Sequence, residues 1–243
     1  MKYVGSKNRI SKELAPIIQS YITADTKGYI EPFVGGANMI DKIVCDNKFG
    51  YDTQKYLIAL LKQSQKDYSV FPDTITEDEY SNVKNNKSKY DGWYVGLVGF
   101  CSVFGAKWFG GYARGFKEDK KTLRDIPNES IRNLKKQSKS LNGIKFECKD
   151  FRTIRDIRGY VVYCDPPYRD TTKYSTSDFP YDEFYDWCRD MSKNNTVLVS
   201  EYNMPDDFEC IWSKEVKTSL DVLSQKNRTE KLFFCKTAYY VVR

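Results

Sequence analysis

The sharpest chemical signal in the 243 residues is Asp165-Pro166-Pro167-Tyr168, which follows directly on the apolar run Tyr160-Val161-Val162-Tyr163-Cys164. It sets a carboxylate, backbone carbonyls whose direction two prolines fix, and an aromatic ring at the end of a strand. In open α/β sheets ligands sit beyond the carboxyl ends of strands. A rigid Pro-Pro turn with a local aspartate cap would account for the prolines, but not for the Asp and Tyr on either side. Histidine is absent, which excludes Ser-His-Asp hydrolysis, histidine-held metals and histidine proton transfer. Any chemistry here uses carboxylates, lysines, tyrosines, thiols or backbone groups.

A second signal is Glu31-Pro32-Phe33-Val34-Gly35-Gly36-Ala37-Asn38, a strand that ends in a loop of small residues and is expected to open a helix at Met39. Missing side chains let a backbone approach a ligand closely. Asp52, about 20 residues on, stands where an acid that binds ribose hydroxyls is expected. It could equally cap the helix that starts near Gln54.

These residues need elements to hold them, and the pattern is that of an α/β sheet. Strands are predicted over 29–33, 49–52, 144–147, 160–165, 196–202, 231–236 and 239–243, the last two as an antiparallel hairpin. The spacing of Leu57, Ile58, Leu60 and Leu61 predicts a helix over 54–65, and that of Phe184, Tyr185, Trp187, Cys188 and Met191 another over 182–193. Between 66 and 142 the signals are helical, with Asn128 as N-cap, so this stretch reads as an inserted second lobe between catalytic parts 1–65 and 143–243.

Charge singles out the same lobe. From Gly105 to Asn142 stand ten basic residues against four acidic ones, which is the whole net charge of +6. Aromatics interleave with the bases from Trp93 to Phe116, a mixture that suits phosphate contact with base stacking. A solvated basic face over an aromatic mini-core fits the composition equally well.

Taken together, these motifs resemble the DNA adenine methyltransferases of the Dam type, the α group of amino-methylating enzymes. Lys2-Tyr3-Val4-Gly5-Ser6-Lys7 is similar to the family's N-terminal motif, Glu31 to Gly36 to its donor loop, Tyr51-Asp52 to its ribose-binding acid, Asp150-Phe151 to its adenosine-binding pair, and Asp165 to Tyr168 to its catalytic tetrapeptide. Ala37 replaces a third glycine, a change that a small side chain should tolerate, and Ser200-Glu201-Tyr202 stands where many relatives carry Ser-Asn.

The resemblance implies a Rossmann-like S-adenosylmethionine-dependent methyltransferase sheet with a mainly helical target-recognition insertion. It implies methyl transfer from S-adenosylmethionine to the amino nitrogen of adenine in double-stranded DNA, with base flipping and no metal; GATC is the family's commonest site. Asp165, Pro166, Pro167 and Tyr168 would be catalytic. Tyr3, Gly5, Lys7, Glu31, Phe33, Gly35, Asp52, Asp150, Phe151 and Asp165 would hold the donor, with Lys7 at its carboxylate and Asp52 at its ribose, although Phe33 could instead be core. Lys107, Arg114, Lys117, Lys120, Lys121 and Arg124 would meet DNA. The rival readings are an RNA or protein amino-methyltransferase and a DNA-binding relative that has lost catalysis.

Mean hydropathy is −0.64, and no apolar run approaches the roughly 20 residues that span a bilayer. The first residues lack the apolar stretch of a secretory signal. The seven cysteines form no Cys-x-x-Cys pair, and most of them read as small buried hydrophobes. A cytoplasmic monomer or weak dimer is expected, either solitary or beside a restriction partner.

Overall fold

The computed structural model describes residues 1–116, 121–169, 179–217 and 227–236. Seven strands form one mixed sheet: β1 (Gly28–Glu31), β2 (Lys48–Asp52), β3 (Ile144–Cys148), β4 (Tyr160–Cys164), β5 (Thr196–Glu201), β6 (Phe208–Lys217) and β7 (Asn227–Cys235), in the order β3-β2-β1-β4-β5-β7-β6. The helices are α1 (Ser11–Ser20), α2 (Lys55–Lys66), α3 (Glu77–Asn85), α4 (Gly92–Cys101), α5 (Ile126–Ser138) and α6 (Tyr181–Ser192). This is an α/β fold, as the alternating pattern predicts. The chain divides into two compact units, one of residues 1–12, 34–42 and 50–148, the other of 13–33, 43–49 and 149–243.

In the second unit β1, β4 and β5 run parallel, with Ile30 beside Val162 and Val162 beside Val197. Their side chains are almost wholly buried, as in a sheet covered on both faces, and the central strand β4 reads as an unbroken apolar run. The strand order turns back between β1 and β4, the switch point at whose carboxyl edge ligands bind in doubly wound sheets. The residues that leave that edge are Glu31-Pro32-Phe33 and Asp165-Pro166-Pro167-Tyr168.

The C-terminal hairpin differs from the expected one. It joins β6 to β7, from Phe208 opposite Cys235 to Lys217 opposite Asn227, and β7 is bonded on its other edge to β5. Both edges of the strand predicted over 231–236 are therefore taken, and 239–243 lie outside the described residues. The run Phe208–Lys217 escapes a hydropathy reading because it is the outer strand, charged at Glu209, Lys214, Glu215 and Lys217 and shifted in register between Cys210 and Trp212.

In the first unit α2 buries Leu57, Ile58, Leu60 and Leu61, and α4 packs on it through glycine. A Cβ on Gly96 would stand 2.2 Å from the Tyr56 carbonyl oxygen, so the two backbones meet where no side chain fits. Gly96→Ala is expected to cost about 2 kcal/mol or more, a fall in Tm of roughly 4–8 °C in thermal unfolding. An unchanged Tm would mean that the helices do not meet there.

The aromatic stretch resolves mostly into this core. Val95 to Cys101 are all buried, and Trp108 packs on Tyr56 (ring centroids 5.5 Å), Phe100 (4.7 Å) and Phe109 (4.7 Å). These rings pack on one another as a mini-core, whereas Phe104 and Phe116 are exposed.

The predicted cap of α5 also moves. Asp125 is the N-cap, its Oδ1 accepting from the Asn128 N–H at 2.9 Å, because Ile126 and Pro127 already open the helix. No α-helix follows the loop at Met39, only a 3-10 turn over Ile40–Lys42. Among the described residues no helix is long and apolar enough to cross a membrane.

Candidate active site

At the carboxyl edge of the second unit, Glu31 ends β1 buried at 3% exposure, its Oε1 accepting from the Tyr29 hydroxyl at 2.7 Å. Asp165 leaves β4 half-buried. Its charge, after burial, is the next largest influence that raises the phenols of Tyr163 and Tyr168 above their ordinary range, so both rings keep their protons. Tyr163 shares a 2.8 Å hydrogen bond with Ser200.

Tyr168 is 7% exposed. Its hydroxyl donates to Glu230 Oε2 at 2.8 Å, and its ring stands edge-on to Tyr202 with centroids 4.6 Å apart. Position and tilt of the ring are thus fixed by two side chains from β7 and the end of β5. The prolines divide their duties. The Pro167 carbonyl accepts from the Tyr181 hydroxyl at 3.1 Å, whereas among the described residues the Pro166 carbonyl accepts no hydrogen bond.

The other predicted residues of this unit lie close together. Phe33, Phe151 and Phe184 form a cluster with centroids 5.6–5.7 Å apart, and Phe151 also meets Trp187. Phe33 therefore serves as packing, whatever else it touches. Asp150 is committed to Arg152, whose Nε and Nη2 each donate at 2.8 Å to one carboxylate oxygen. That fork holds the Asp150 carboxyl below the usual carboxylate range.

In the first unit the loop after Phe33 is built around Asp52. Its Oδ2 accepts from the Gly35 N–H at 3.2 Å and its Oδ1 from the Gln54 N–H at 2.9 Å. Burial raises its carboxyl, and backbone N–H groups oppose that rise. Asp52 thus braces the loop and the start of α2 together, and each oxygen keeps a lone pair for a further donor. Gly35 has φ +48°, and a Cβ there would lie 2.9 Å from the Tyr3 ring, which occupies the space a side chain would need. Ala37 takes φ +55° with its methyl fully buried. The small side chain is tolerated, in a conformation that glycine adopts at less cost. Lys7 is buried and donates to the Gly5 carbonyl at 3.3 Å.

No sequence motif marks Gln137 on α5, yet its amide donates to the Gly36, Ala37 and Asp41 oxygens at 3.0–3.1 Å. Gln137→Ala leaves these loop carbonyls without their partner, at an expected cost of about 1–3 kcal/mol. The Ala37 amide, bonded to Val34, is expected to exchange its hydrogen at least several-fold faster. Unchanged exchange would show that Gln137 does not brace the loop.

The predicted DNA-facing cations are mixed in state. Lys107 and Lys121 are exposed; Arg114 forks onto Glu77 and Arg124 onto Glu129. Such exposed pairs are weak in water, so a phosphate can replace the carboxylate. Lys117 and Lys120 lie outside the described residues.

Among solved structures the chain aligns with SMU.472, described as a methyltransferase and solved with SAH (10% identity, 95% of this chain and 52% of that one, TM-score 0.41). It aligns also with HI0767 from Haemophilus influenzae, described as a methylase (12% identity, 94% and 98%, 0.39), and with a conserved hypothetical protein from Streptococcus pyogenes (8%, 95% and 96%, 0.38). The chain spans about half the length of the first of these. No curated protein matches it. The strand order, and not these distant likenesses, carries the fold. The model of one family matches residues 3–229, a span that takes in the loop after β1, the acid that ends β2 and the tetrapeptide after β4 in that order. The chain belongs to that family, the D12 class N6 adenine-specific DNA methyltransferases.

Proposed function

We propose that this protein methylates the exocyclic amino nitrogen of adenine in duplex DNA, and that Asp165 to Tyr168 carry the reaction. The observation that carries the reading is the pairing of the half-buried Asp165 carboxylate with a Pro166 carbonyl that accepts no hydrogen bond among the described residues, at the carboxyl edge beside the switch point. The amino lone pair of adenine is delocalised into its ring. Two acceptors that take its two N–H bonds draw the nitrogen toward tetrahedral geometry and stabilise the positive charge that grows on it. Proline fixes the carbonyl's direction in advance. After the nitrogen gains its methyl group, it loses a proton, which the Asp165 carboxylate, already holding one of its N–H bonds, can accept.

S-adenosylmethionine, when bound, supplies that methyl group from its sulfonium. The residues suit such a donor: Asp52 retains lone pairs for ribose hydroxyls, Lys7 offers a cation to a carboxylate, and Gly35 keeps the loop free of side chains. Asp150, which Arg152 already engages, has less to give. The target atom is unreachable inside a duplex, so the base must leave the stack; Tyr168 stacks on it. The segment 66–142 reads the target through its exposed bases, and a GATC-like site is the reading to test first.

Labelled-methyl transfer to duplex DNA, RNA and protein tests the proposal. Label in the N6 position of adenine in DNA is the expected result, and label in RNA or protein alone overturns it. Digestion of methylated DNA with methylation-sensitive nucleases reports the site.

A further inference from the structure

Beside Tyr168 lies an open cleft of about 320 Å³, lined by Tyr202, Asn203, Arg228, Thr229 and Lys231. Nothing in the sequence marks it, since outside residues 105–142 the chain is neutral overall. Its chemistry is one-sided. The Arg228 guanidinium lies 5.4 Å from the centre of the Tyr202 ring, and its Nη1 donates to the Tyr202 hydroxyl at 3.3 Å. Lys231 Nζ donates to Asn203 Oδ1 at 3.3 Å. Among the described residues neither cation is paired with a carboxylate, in contrast to Arg114 and Arg124.

The neighbouring acids are turned to other tasks: Glu230 accepts from Tyr168, and buried Glu201 accepts from the Tyr202 N–H at 2.8 Å. The cleft is rich in donors: guanidinium and ammonium N–H groups, the Asn203 amide and the hydroxyls of Tyr202 and Thr229, with one accepting site each already taken on the Tyr202 and Asn203 oxygens. A cleft with two cations that no carboxylate engages among the described residues, and with neutral donors beside them, suits an anion that presents several oxygens.

Position says which anion. β4 and β5 are parallel, so Tyr202 and Asn203, which follow β5, leave the sheet at the same edge as Asp165 to Tyr168. Tyr202 also touches the Tyr168 ring. We propose that this cleft grips a backbone phosphodiester of the DNA strand that carries the target adenine, holding it while the base is out of the stack. The inference rests on the methyltransferase reading for its substrate. The contact is independent of sequence, as phosphate contacts are.

The test compares wild type with R228A/K231A for binding of a fluorescently labelled duplex by anisotropy, over a range of salt, together with labelled-methyl transfer. Each phosphate neutralised contributes about 0.9 to the slope of log affinity against log salt, so the double variant, which loses one phosphate contact, should lose about 1 from that slope. Its DNA affinity at low salt should fall about tenfold or more, with donor binding by calorimetry unchanged. R228K/K231R, which keeps both charges, should recover most of the slope and shows that the loss is one of charge and not of folding. An unchanged slope in R228A/K231A, or a loss that R228K/K231R does not recover, overturns the phosphate cleft. A wild type that binds duplex with the steeper slope yet transfers no label overturns the methyltransferase reading and leaves the cleft standing.

Discussion

Asp165→Ala is expected to lower kcat for adenine methylation by about a thousand-fold or more, while donor affinity and duplex affinity stay within a few-fold of wild type. The size follows from what the carboxylate does. Removing one pre-aimed group that stabilises developing charge costs roughly 10²–10³ in kcat, and here the group is the charged one of the two acceptors. Asp165→Asn separates the contributions. It keeps an oxygen that can accept one N–H but loses the negative charge, so an intermediate rate is expected, about ten- to a hundred-fold above the Ala variant. The side chain is half-buried and lies at the strand's exit, so both variants should fold with Tm values near that of wild type. Single-turnover methyl transfer at saturating donor and DNA is the measurement. Activity of Asp165→Ala within tenfold of wild type would remove the tetrapeptide from the chemistry.

What was legible in the sequence was what is contiguous and central. β4 is an apolar run buried on both faces, and the tetrapeptide follows it without a break, so strand and site were readable together. The edge strand β6 was not, because one bonded edge and a charged surface leave no hydropathy signature. α1 is hidden in the sequence for a different reason: Pro16 sits inside it and removes a backbone N–H, which reads as a break. α4 carries Gly92, Gly96 and Gly99, residues that argue against a helix until their close packing is seen.

At the site, single motifs were readable and their supports were not. Glu230 holds Tyr168 from 62 residues away and Gln137 holds Gly36 from 101; nothing local relates them. The charge count likewise located the basic segment without showing that Glu77 and Glu129 engage two of its arginines.

Replacing Tyr168 tests the second large effect. Stacking of one base on an aromatic ring is worth about 1–3 kcal/mol, so Tyr168→Ala should lower kcat/KM by roughly ten- to a hundred-fold. Tyr168→Phe keeps the ring that meets the base and its edge-on contact with Tyr202 and loses only the bracing hydrogen bond to Glu230, so a loss of about tenfold or less is expected. Only 7% of the residue is exposed, which makes the ring's placement tight and gives Glu230 its importance. Glu230→Ala should therefore cost about as much as Tyr168→Phe, and should cost nothing further when added to Tyr168→Phe, since both remove the same bond. Additive losses would mean that Glu230 acts elsewhere than through the hydroxyl. If Phe were as damaging as Ala, the ring would not be the part of Tyr168 that the reaction uses.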